Sequence, residues 1–268
     1  RIGDITRAFD QFLDIKLQST TSSYSFAKSK SEVFDQLEAT LIPKTSTVGT
    51  RLREFFDGLS NLAQDPDNAN LRRLALASAK AVSNSISGLH TGLIDLRTVT
   101  HGTLELTVAD FNSTLRNLSQ VQKEILGNSS KTGAPHGLLD QRDKLLEKLS
   151  EVGDISVDYQ ANGGVTVSLG KLGTVGTLLE GATVNELTIK SDMDGVQTFL
   201  KGNFGSSSNV YFSSGQMAGL IAADTATAQT IDELNQLAQK FVTEMNSIHG
   251  MGLDKDGERG GKLFGLET

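Results

Sequence analysis

The sequence predicts an α+β protein, in which an elongated α-helical rod or bundle domain carries an inserted small all-β domain. Three observations support this fold class. Apolar residues recur three and four apart over residues 82–125, with no proline to interrupt them. The period changes to two after Gly153 and returns to three and four after Gly215. Because these periods are those of helix and strand, the chain is expected to run from helix to strand and back to helix.

The apolar stripe that begins at Val82 is typical of a long helix packed side by side against partner helices. No proline occurs between Pro66 and Pro135, so one helix is expected over about residues 69–126. At roughly 1.5 Å per residue it would be on the order of 85 Å long, as rods are. The predicted packing seam on this helix is Val82, Ile86, Leu89, Leu93, Leu96, Val108, Phe111, Leu115 and Leu118.

The weak point of this helix is residues 98–103, where threonines and Gly102 replace large apolar side chains. A glycine inside a helix costs roughly 1 kcal/mol relative to alanine. Two alternatives to one regular helix therefore stay open, a kink or short break near Gly102 and a two-helix hairpin that turns at residues 98–103.

The other helical segments are shorter or lie near the ends of the chain. One apolar series ends before Pro43, and another stops at the turn Asp65-Pro66-Asp67, as helices tend to do. Composition predicts a loop at residues 127–135. The segments with helical period are 5–13, 26–41, 51–63, 138–152 and a stretch after 215. The last of them carries a second predicted seam, Ile231, Leu234, Phe241, Met245 and Ile248.

Residues 154–213 are predicted to form the β domain. Apolar and polar residues alternate over 155–159 and 165–169, and Asn162-Gly163-Gly164 between them suits a tight turn with positive φ. Further short strands are expected at 183–189, 196–201 and 210–213. The helical domain would then be discontinuous, formed by residues 1–153 and 214–268.

Composition excludes several classes of protein. The 268 residues carry a formal net charge of −7 and include no Cys and no Trp. A chain without Cys has no disulfide, thiol nucleophile or zinc–thiolate site. Nucleic acid is not expected as a partner, because phosphate binding needs clustered Lys and Arg. A membrane is not expected either, since no apolar run approaches roughly 18 residues.

No catalytic, cofactor-binding or metal-binding residues are predicted. The segment 254–258, DKDGE, begins like a calcium loop, but the twelfth position, where a bidentate Glu belongs, is Gly265. No histidine has a second histidine four residues away, as a helical zinc motif requires. We therefore expect surface or packing roles for His90, His101, His136 and His249.

Asp140, Arg142 and Asp143 form the most distinctive polar cluster of the sequence. Two carboxylates three apart share a helix face, which is conceivable for a catalytic pair. Acidic residues in a first helical turn explain the composition without chemistry. The favoured prediction is a structural or interface role for Arg142, whose planar fork can bind carboxylates or backbone carbonyls.

Three stretches resemble one family, the bacterial flagellar hook-associated protein 1 family. The first is 137–150, GLLDQRDKLLEKLS, followed by the predicted hairpin. The second is 214–220, SGQMAGL, which leads into a helix ending FVTEMNSIH at 241–249 and then into Leu263-Phe264. The third is 5–13, ITRAFDQFL. The match spans nearly the whole chain in the right order, although 169–213 match poorly and imply no strand order.

The resemblance implies a non-enzymatic axial protein without cofactor that joins the flagellar hook to the filament outside the cell. It implies export through the flagellar type III apparatus, which the lack of Cys suits. The implied partners are the hook protein, the second junction protein and further copies of itself in a ring, with the polar faces of the rod meeting neighbouring subunits. An export chaperone would bind a terminal segment.

The family's terminal segments, which form an inner helical tube, have no counterpart in this sequence. We therefore expect the core of a longer protein, monomeric in solution on its own. Two alternatives remain open. One is another flagellar axial protein, either flagellin or the second junction protein, which the 138–149 motif followed by a hairpin disfavours. The other is a secreted adhesin with a coiled-coil stalk and a β head.

Overall fold

The structure, a computed structural model, describes residues 2–43, 46–132, 135–170, 176–192, 195–201, 207–254 and 256–265. It confirms the predicted α+β class. Five helices are described, α1 (Ile2–Leu41), α2 (Val48–Gln64), α3 (Ala69–Thr132), α4 (His136–Val152) and α5 (Gly215–Met251). Between α4 and α5 lie the strands β1 (Ile155–Tyr159), β2 (Val165–Leu169), β3 (Gly176–Glu180), β4 (Thr183–Val184), β5 (Glu186–Asp192), β6 (Gly195–Lys201) and β7 (Ser207–Val210).

Helix α3 is a single 64-residue helix that stays helical through residues 98–103. The hairpin alternative is therefore wrong. The helix continues in spite of Gly102 because Leu96 and Leu104, six residues before it and two after, are both buried, and their packing offsets the cost of the glycine. The helix also continues past the expected end, so the predicted loop at 127–135 is wrong over 127–132. Residues 133 and 134 lie outside the described part.

The strands form two antiparallel sheets in sequence order, β1-β2-β3-β4 and β5-β6-β7. The predicted hairpin of β1 and β2 is confirmed, with Val157 opposite Val167. The structure also contains β3, which was not predicted because closely spaced glycines precede it in the sequence. The predicted strand at 183–189 is two strands, because Asn185 turns back to β3 and donates to the backbone carbonyls of Thr177 and Leu178 at 2.7 and 2.8 Å. The predicted strand at 210–213 lies earlier, at Ser207–Val210.

The chain divides into two compact units, each with residues from α1, α3 and α5. Unit 1 comprises residues 1–35 and 98–225 and so includes all the described strands. Unit 2 comprises residues 36–97 and 226–268. The predicted division into 1–153 with 214–268 and a separate 154–213 domain stays a prediction. Fully buried side chains of unit 1 include Leu104, Phe111, Leu115, Leu118, Leu146, Leu149, Val165, Val167, Leu169, Leu178 and Leu179.

Candidate functional site

Two buried amide side chains on α3 each bind the backbone of one strand, β2 of the first sheet and β5 of the second. Gln122, fully buried, donates from Nε2 to the carbonyl of Val165 at 2.5 Å and accepts the Val165 amide at 2.9 Å. Asn112 makes the same two bonds with Leu187 of β5, each at 2.8 Å. A primary amide presents one acceptor and two donors, so each side chain substitutes for a neighbouring strand.

Two further residues of α3 reinforce this attachment in unit 1. The Ser119 hydroxyl donates to the Ala182 carbonyl at 2.8 Å, and Arg116 forms an ion pair with Glu186. Asn112, Arg116, Ser119 and Gln122 lie three or four residues apart, which places them along one face of the helix. The strands are thereby attached to α3 by hydrogen bonds as well as by apolar packing. This polar face could not be predicted from the sequence, because the apolar period of α3 does not mark it.

Replacing Gln122 with leucine should lower the free energy of unfolding by about 3 kcal/mol. The substitution keeps the volume but leaves the buried N–H and C=O of Val165 unpaired, at a cost of about 1–3 kcal/mol for each group. Urea denaturation followed by circular dichroism measures the effect. Gln120→Leu, an exposed change two residues away on the same helix, is the matched control, with less than about 0.5 kcal/mol expected. Equal effects of the two substitutions would contradict a role for the amide pairing.

Arg142 lies in the middle of the predicted polar cluster and is 8% exposed. Its Nη1 donates to the Gly163 carbonyl at 2.7 Å, in the turn between β1 and β2. Its Nε and Nη2 both reach Asp143 Oδ1, at 2.8 and 2.7 Å. The guanidinium carbon lies 5.1 Å from the ring centre of Tyr159. Arg142 thus binds α4 to the β1–β2 hairpin through a carbonyl and an aromatic face, while Asp143 on the same helix holds its guanidinium.

Asp140 lies apart from the Arg142 contacts, on an open cleft of about 310 Å³ that Asp143 also borders. The cleft is surrounded by residues of α1 and α4, namely Asp14, Leu17, Gln18, Asp140, Asp143, Lys144 and Glu147. Asp140 and Asp143 therefore both line this cleft. Among the described contacts, Arg142 binds Asp143 and not Asp140. The interface role of this cluster stays a prediction.

Tyr159 completes the contact around Arg142, and the sequence analysis did not single it out. Burial of the phenol, reinforced by the nearby Asp143 carboxylate, raises its pKa from 10.0 to about 12. The Gln18 amide donates to its oxygen at 3.5 Å and opposes the rise. The ring therefore keeps its proton in moderately alkaline solution.

Stability should fall as the pH rises from 10 to about 12. Above pH 10 the unfolded phenol ionises while the folded one stays protonated, so the unfolded state binds fewer protons and its free energy falls relative to that of the native state. We expect a loss of about 1–2 kcal/mol, less than full linkage gives because solvent reaches part of the ring. The loss should level off above the folded pKa.

Ultraviolet titration of the phenolate measures this pKa directly. The chain has three tyrosines and no tryptophan, so a Tyr24→Phe, Tyr211→Phe double variant leaves Tyr159 as the sole phenol. A Tyr159→Phe variant should lose the stability change over this pH range. A phenolate midpoint near 10 in the double variant would show that the environment of Tyr159 does not suppress its ionisation.

The two ends of the strand-bearing segment are held together. Asp154 follows α4, and its carboxylate accepts the backbone amide and hydroxyl of Ser213 at 3.2 and 2.5 Å. Gly215, at the start of α5, has φ +83° and lies so close to Gly153 that an added Cβ would be 2.6 Å from its backbone nitrogen. The chain therefore leaves the helices and returns to them at one point, as expected for an insertion.

Most of the predicted seam residues lie inside the two units. On α3, Val82, Leu93, Leu96, Val108, Phe111, Leu115 and Leu118 are buried, and Ile86 and Leu89 are half-buried. On α5, Ile231 and Leu234 are buried, and Phe241 and Met245 pack against a cluster that contains Phe55. Whether these residues form one continuous seam stays a prediction.

Ile248 departs from the predicted seam, since it is 60% exposed. The apolar face of α5 is covered in this region by Leu263 and Phe264. Asn246 holds that segment by accepting both of their backbone amides at 2.8 and 2.9 Å. Ile248 lies beyond this cover and leaves most of its side chain exposed.

His101 has a partner that could not be identified from the sequence. His101 Nε2 lies 2.8 Å from Asp224 Oδ1, and both side chains are largely buried, which links α3 to α5 in unit 1. The two residues are 123 positions apart, so no local pattern pairs them. Within the described ranges no three His, Asp or Glu side chains gather in a metal-binding arrangement. Nor does any helix of those ranges have the length and apolarity to cross a membrane.

Between residues 13 and 29, helix α1 presents several apolar side chains to solvent and buries polar ones, whereas Val33 and Leu37 farther along the helix are buried. Its buried side chains between 18 and 29 are Gln18, Ser22 and Ser29. Its exposed ones on the opposite face are Leu13, Leu17 and Tyr24, with Leu17 51% and Tyr24 66% exposed. The Ser22 hydroxyl is buried without a hydrogen-bond partner among the described residues. This is the reverse of an ordinary amphipathic helix, so the apolar face of α1 is a candidate interface.

The chain is similar to known proteins over nearly its whole length. The model of the family "Flagellar hook-associated protein FlgK helical domain" matches residues 34–264. A protein of Bacillus subtilis named flagellar hook-associated protein 1 is 28% identical over 97% of this chain and 56% of its own length. Its Escherichia coli namesake is 22% identical over 99% of this chain and 50% of its own length. The chain thus spans about half the length of these relatives.

A solved structure shares the fold. The flagellar hook junction protein FlgK from Burkholderia pseudomallei superimposes with a TM-score of 0.81 at 24% sequence identity. The superposition covers 92% of this chain and 46% of the other. It supports the same succession of long helices and small antiparallel sheets.

Proposed function

Because this chain belongs to the family of the flagellar hook-associated protein FlgK helical domain, we propose that it is part of a structural protein that joins the flagellar hook to the filament. The observation that carries the proposal is the family match over residues 34–264. The relatives are named as hook-associated proteins, and the solved neighbour is named as a hook junction protein. The proposed role is non-enzymatic and extracellular, within the assembled flagellum.

The described contacts suit a protein that works by holding a shape. In unit 1, Asn112 and Gln122 on α3 bind both sheets, while Arg142 on α4 binds the first hairpin. Buried amides and a buried guanidinium that bond to backbone groups of the strands and turn favour one arrangement of helix and strand, because any slip would leave these groups unpaired. The unit is therefore expected to transmit force with little internal movement.

We further propose that the exposed face of α1, defined by Leu13, Leu17 and Tyr24, is covered by another copy of this protein in a ring. These positions are four and seven residues apart, which is the spacing of a stripe that receives one helix. Three side chains bury less than the roughly 800 Å² per partner of a stable interface. The chain alone is therefore expected to be monomeric and to associate only where many copies are held together. The family resemblance implies polar faces of the rod in this role, whereas α1 offers an apolar one.

The remaining partners follow from the same role. The hook protein and the second junction protein are the proposed neighbours at the two ends of the ring, and an export chaperone is proposed for a segment outside this chain. Export through the flagellar type III apparatus is part of the proposal. No feature of the described residues favours flagellin, the second junction protein or an adhesin as an alternative identity.

Deletion of the gene tests the junction role. Cells without it should keep their hooks and shed unpolymerised flagellin into the medium, and the full-length gene supplied in trans should restore filaments. Electron microscopy of the cells and immunoblots of the medium give the two readouts. Normal filaments on the deletion strain would overturn the proposal, and lost host attachment with normal swimming would favour an adhesin.

The α1 face is tested separately in the full-length protein. Leu17→Asp should reduce filament number while leaving the melting temperature of the purified chain unchanged, because Leu17 is exposed. Ser23→Asp, an exposed change off the apolar face, should leave filaments normal. A Leu17→Cys variant in this chain without native Cys allows a photoreactive label to identify the protein that covers the face. Labelling of a different flagellar protein instead of a second copy would overturn the proposed occupant.

A further inference from the structure

The turn between β1 and β2 contains an asparagine followed by glycine. Asn162 is exposed, and Gly163 has φ +86°, a conformation that glycine adopts without strain. An asparagine in this position can react with its own backbone. Glycine favours the reaction because it places no side chain beside the attacking nitrogen.

The reaction is a deamidation that needs only water. The backbone nitrogen of Gly163 attacks Cγ of Asn162, an N–C bond forms, and the side-chain amide leaves as ammonia with the proton from Gly163. Water then opens the resulting succinimide ring at either carbonyl. The products carry aspartate or isoaspartate at 162, each with a new carboxyl group and a mass greater by about 1 Da.

Three hydrogen bonds hold the reacting groups apart in the native turn. The Gly163 amide donates to the Gln160 carbonyl at 3.0 Å, so the nucleophilic nitrogen is occupied. Asn162 Oδ1 accepts the Gly164 amide at 3.0 Å, which fixes the side chain under attack. Arg142 Nη1 donates to the Gly163 carbonyl at 2.7 Å and holds the Gly163–Gly164 peptide group, on the far side of the residue whose nitrogen must move. Arg142 is itself held by Asp143 and Tyr159, so this third bond connects the turn to α4.

We propose that Asn162 is a deamidation site that Arg142 controls, because the turn must release Gly163 from Arg142 before its nitrogen can reach Cγ. Isoaspartate adds one methylene to the backbone at the turn. The Gly163 carbonyl then no longer meets Arg142, so the modified turn does not return to its first conformation. The reaction would mark molecules in which α4 and the hairpin have separated.

The test follows deamidation of the purified 268-residue chain at mildly alkaline pH by peptide mass spectrometry and isoaspartate detection. Arg142→Ala should deamidate at Asn162 about tenfold faster than the unchanged chain, the factor expected for the loss of one charge-assisted hydrogen bond. Arg142→Lys, which keeps one donor, should be intermediate. Arg116→Ala, which removes an exposed arginine from a different strand contact, is the matched control and should not change the rate.

Two internal references separate local opening from unfolding. Asn117 and Asn128 are exposed on α3 and are followed by Leu118 and Ser129, so both should stay unmodified in every variant that remains folded. If Arg142→Ala weakens the fold, the deamidation rate at Asn162 is also measured at low concentrations of urea. Local opening exposes little surface, so a rate limited by local opening should depend only weakly on urea. Equal rates at Asn162 in Arg142→Ala and Arg116→Ala, or a urea dependence equal to that of global unfolding, would overturn the proposal.

Discussion

Gly219→Ala should destabilise unit 1 by roughly 3 kcal/mol. Gly219 lies in α5 where that helix meets α1 at backbone distance. A Cβ at this position would overlap Ser29 Oγ and would be 2.5 Å from the Phe26 carbonyl oxygen. The hydroxyl can rotate, but the carbonyl belongs to the helical backbone, so the two helices would have to separate. Separation would also break the hydrogen bond from Ser29 Oγ to the Gln216 carbonyl, now 3.2 Å long.

Gly102→Ala is the matched control, because Gly102 is also inside a helix and an added Cβ would meet nothing within 4 Å. It should stabilise the chain by about 0.5–1 kcal/mol, since alanine restricts the unfolded state and favours helix. Urea denaturation curves of both variants measure the difference. The two substitutions are expected to change the free energy of unfolding in opposite directions. A neutral Gly219→Ala would mean that α1 and α5 are not in close contact in solution.

The helices and the first hairpin could be predicted because their signals are local. Apolar residues repeat with a period of 3.6 on α3 and α5 and with a period of 2 on β1 and β2. These patterns, like the turn at Asn162-Gly163-Gly164, involve residues that are close together in the sequence. The strands after β2 were harder, because β4 has two residues and glycines interrupt the alternation around β3.

The polar contacts could not be predicted, since their partners are distant in the sequence. Gln122 meets Val165, 43 residues away, and Asn112 meets Leu187, 75 residues away. Both amides lie on a helix whose leucines already explain its burial, so nothing local marks them as partners of a strand. Arg142 was predicted as a residue that binds carboxylates and carbonyls, whereas its contact with Tyr159 depends on the folded position of the hairpin.

Helix α1 illustrates a different limit. Its alternation of polar and apolar residues is visible in the sequence, but the usual rule assigns the apolar face to the interior. In the structure Gln18, Ser22 and Ser29 face inward, and Leu17 and Tyr24 face outward. The rule assumes that a chain buries its apolar surface within itself. A subunit of an assembly can leave that surface for a neighbour, so the pattern alone did not determine which face is buried.

Phe55→Ala should be the most destabilising single truncation in unit 2, at about 4 kcal/mol. Phe55 is 1% exposed and lies in contact with Phe241 of α5 and Phe264 near the end of the chain. The ring centres are 6.0 and 5.8 Å apart in edge-to-face arrangements, and those of Phe241 and Phe264 are 5.1 Å apart. Truncation would leave a cavity among three elements and remove the two edge-to-face contacts, together with a tilted contact to Phe56 whose ring centre is 5.4 Å away.

The neighbouring Phe56 provides the control, because it belongs to the same helix and is 51% exposed. Phe56→Ala should cost less than about 1 kcal/mol, since most of its ring stays in solvent and little cavity forms. The two variants have the same composition. Their free energies of unfolding, measured by thermal and urea denaturation, should nevertheless differ by several kcal/mol. Comparable losses for Phe55→Ala and Phe56→Ala would show that the aromatic cluster is not the core of unit 2. A Phe55→Leu variant should recover more than half of the loss, because leucine refills most of the space while the ring contacts stay absent.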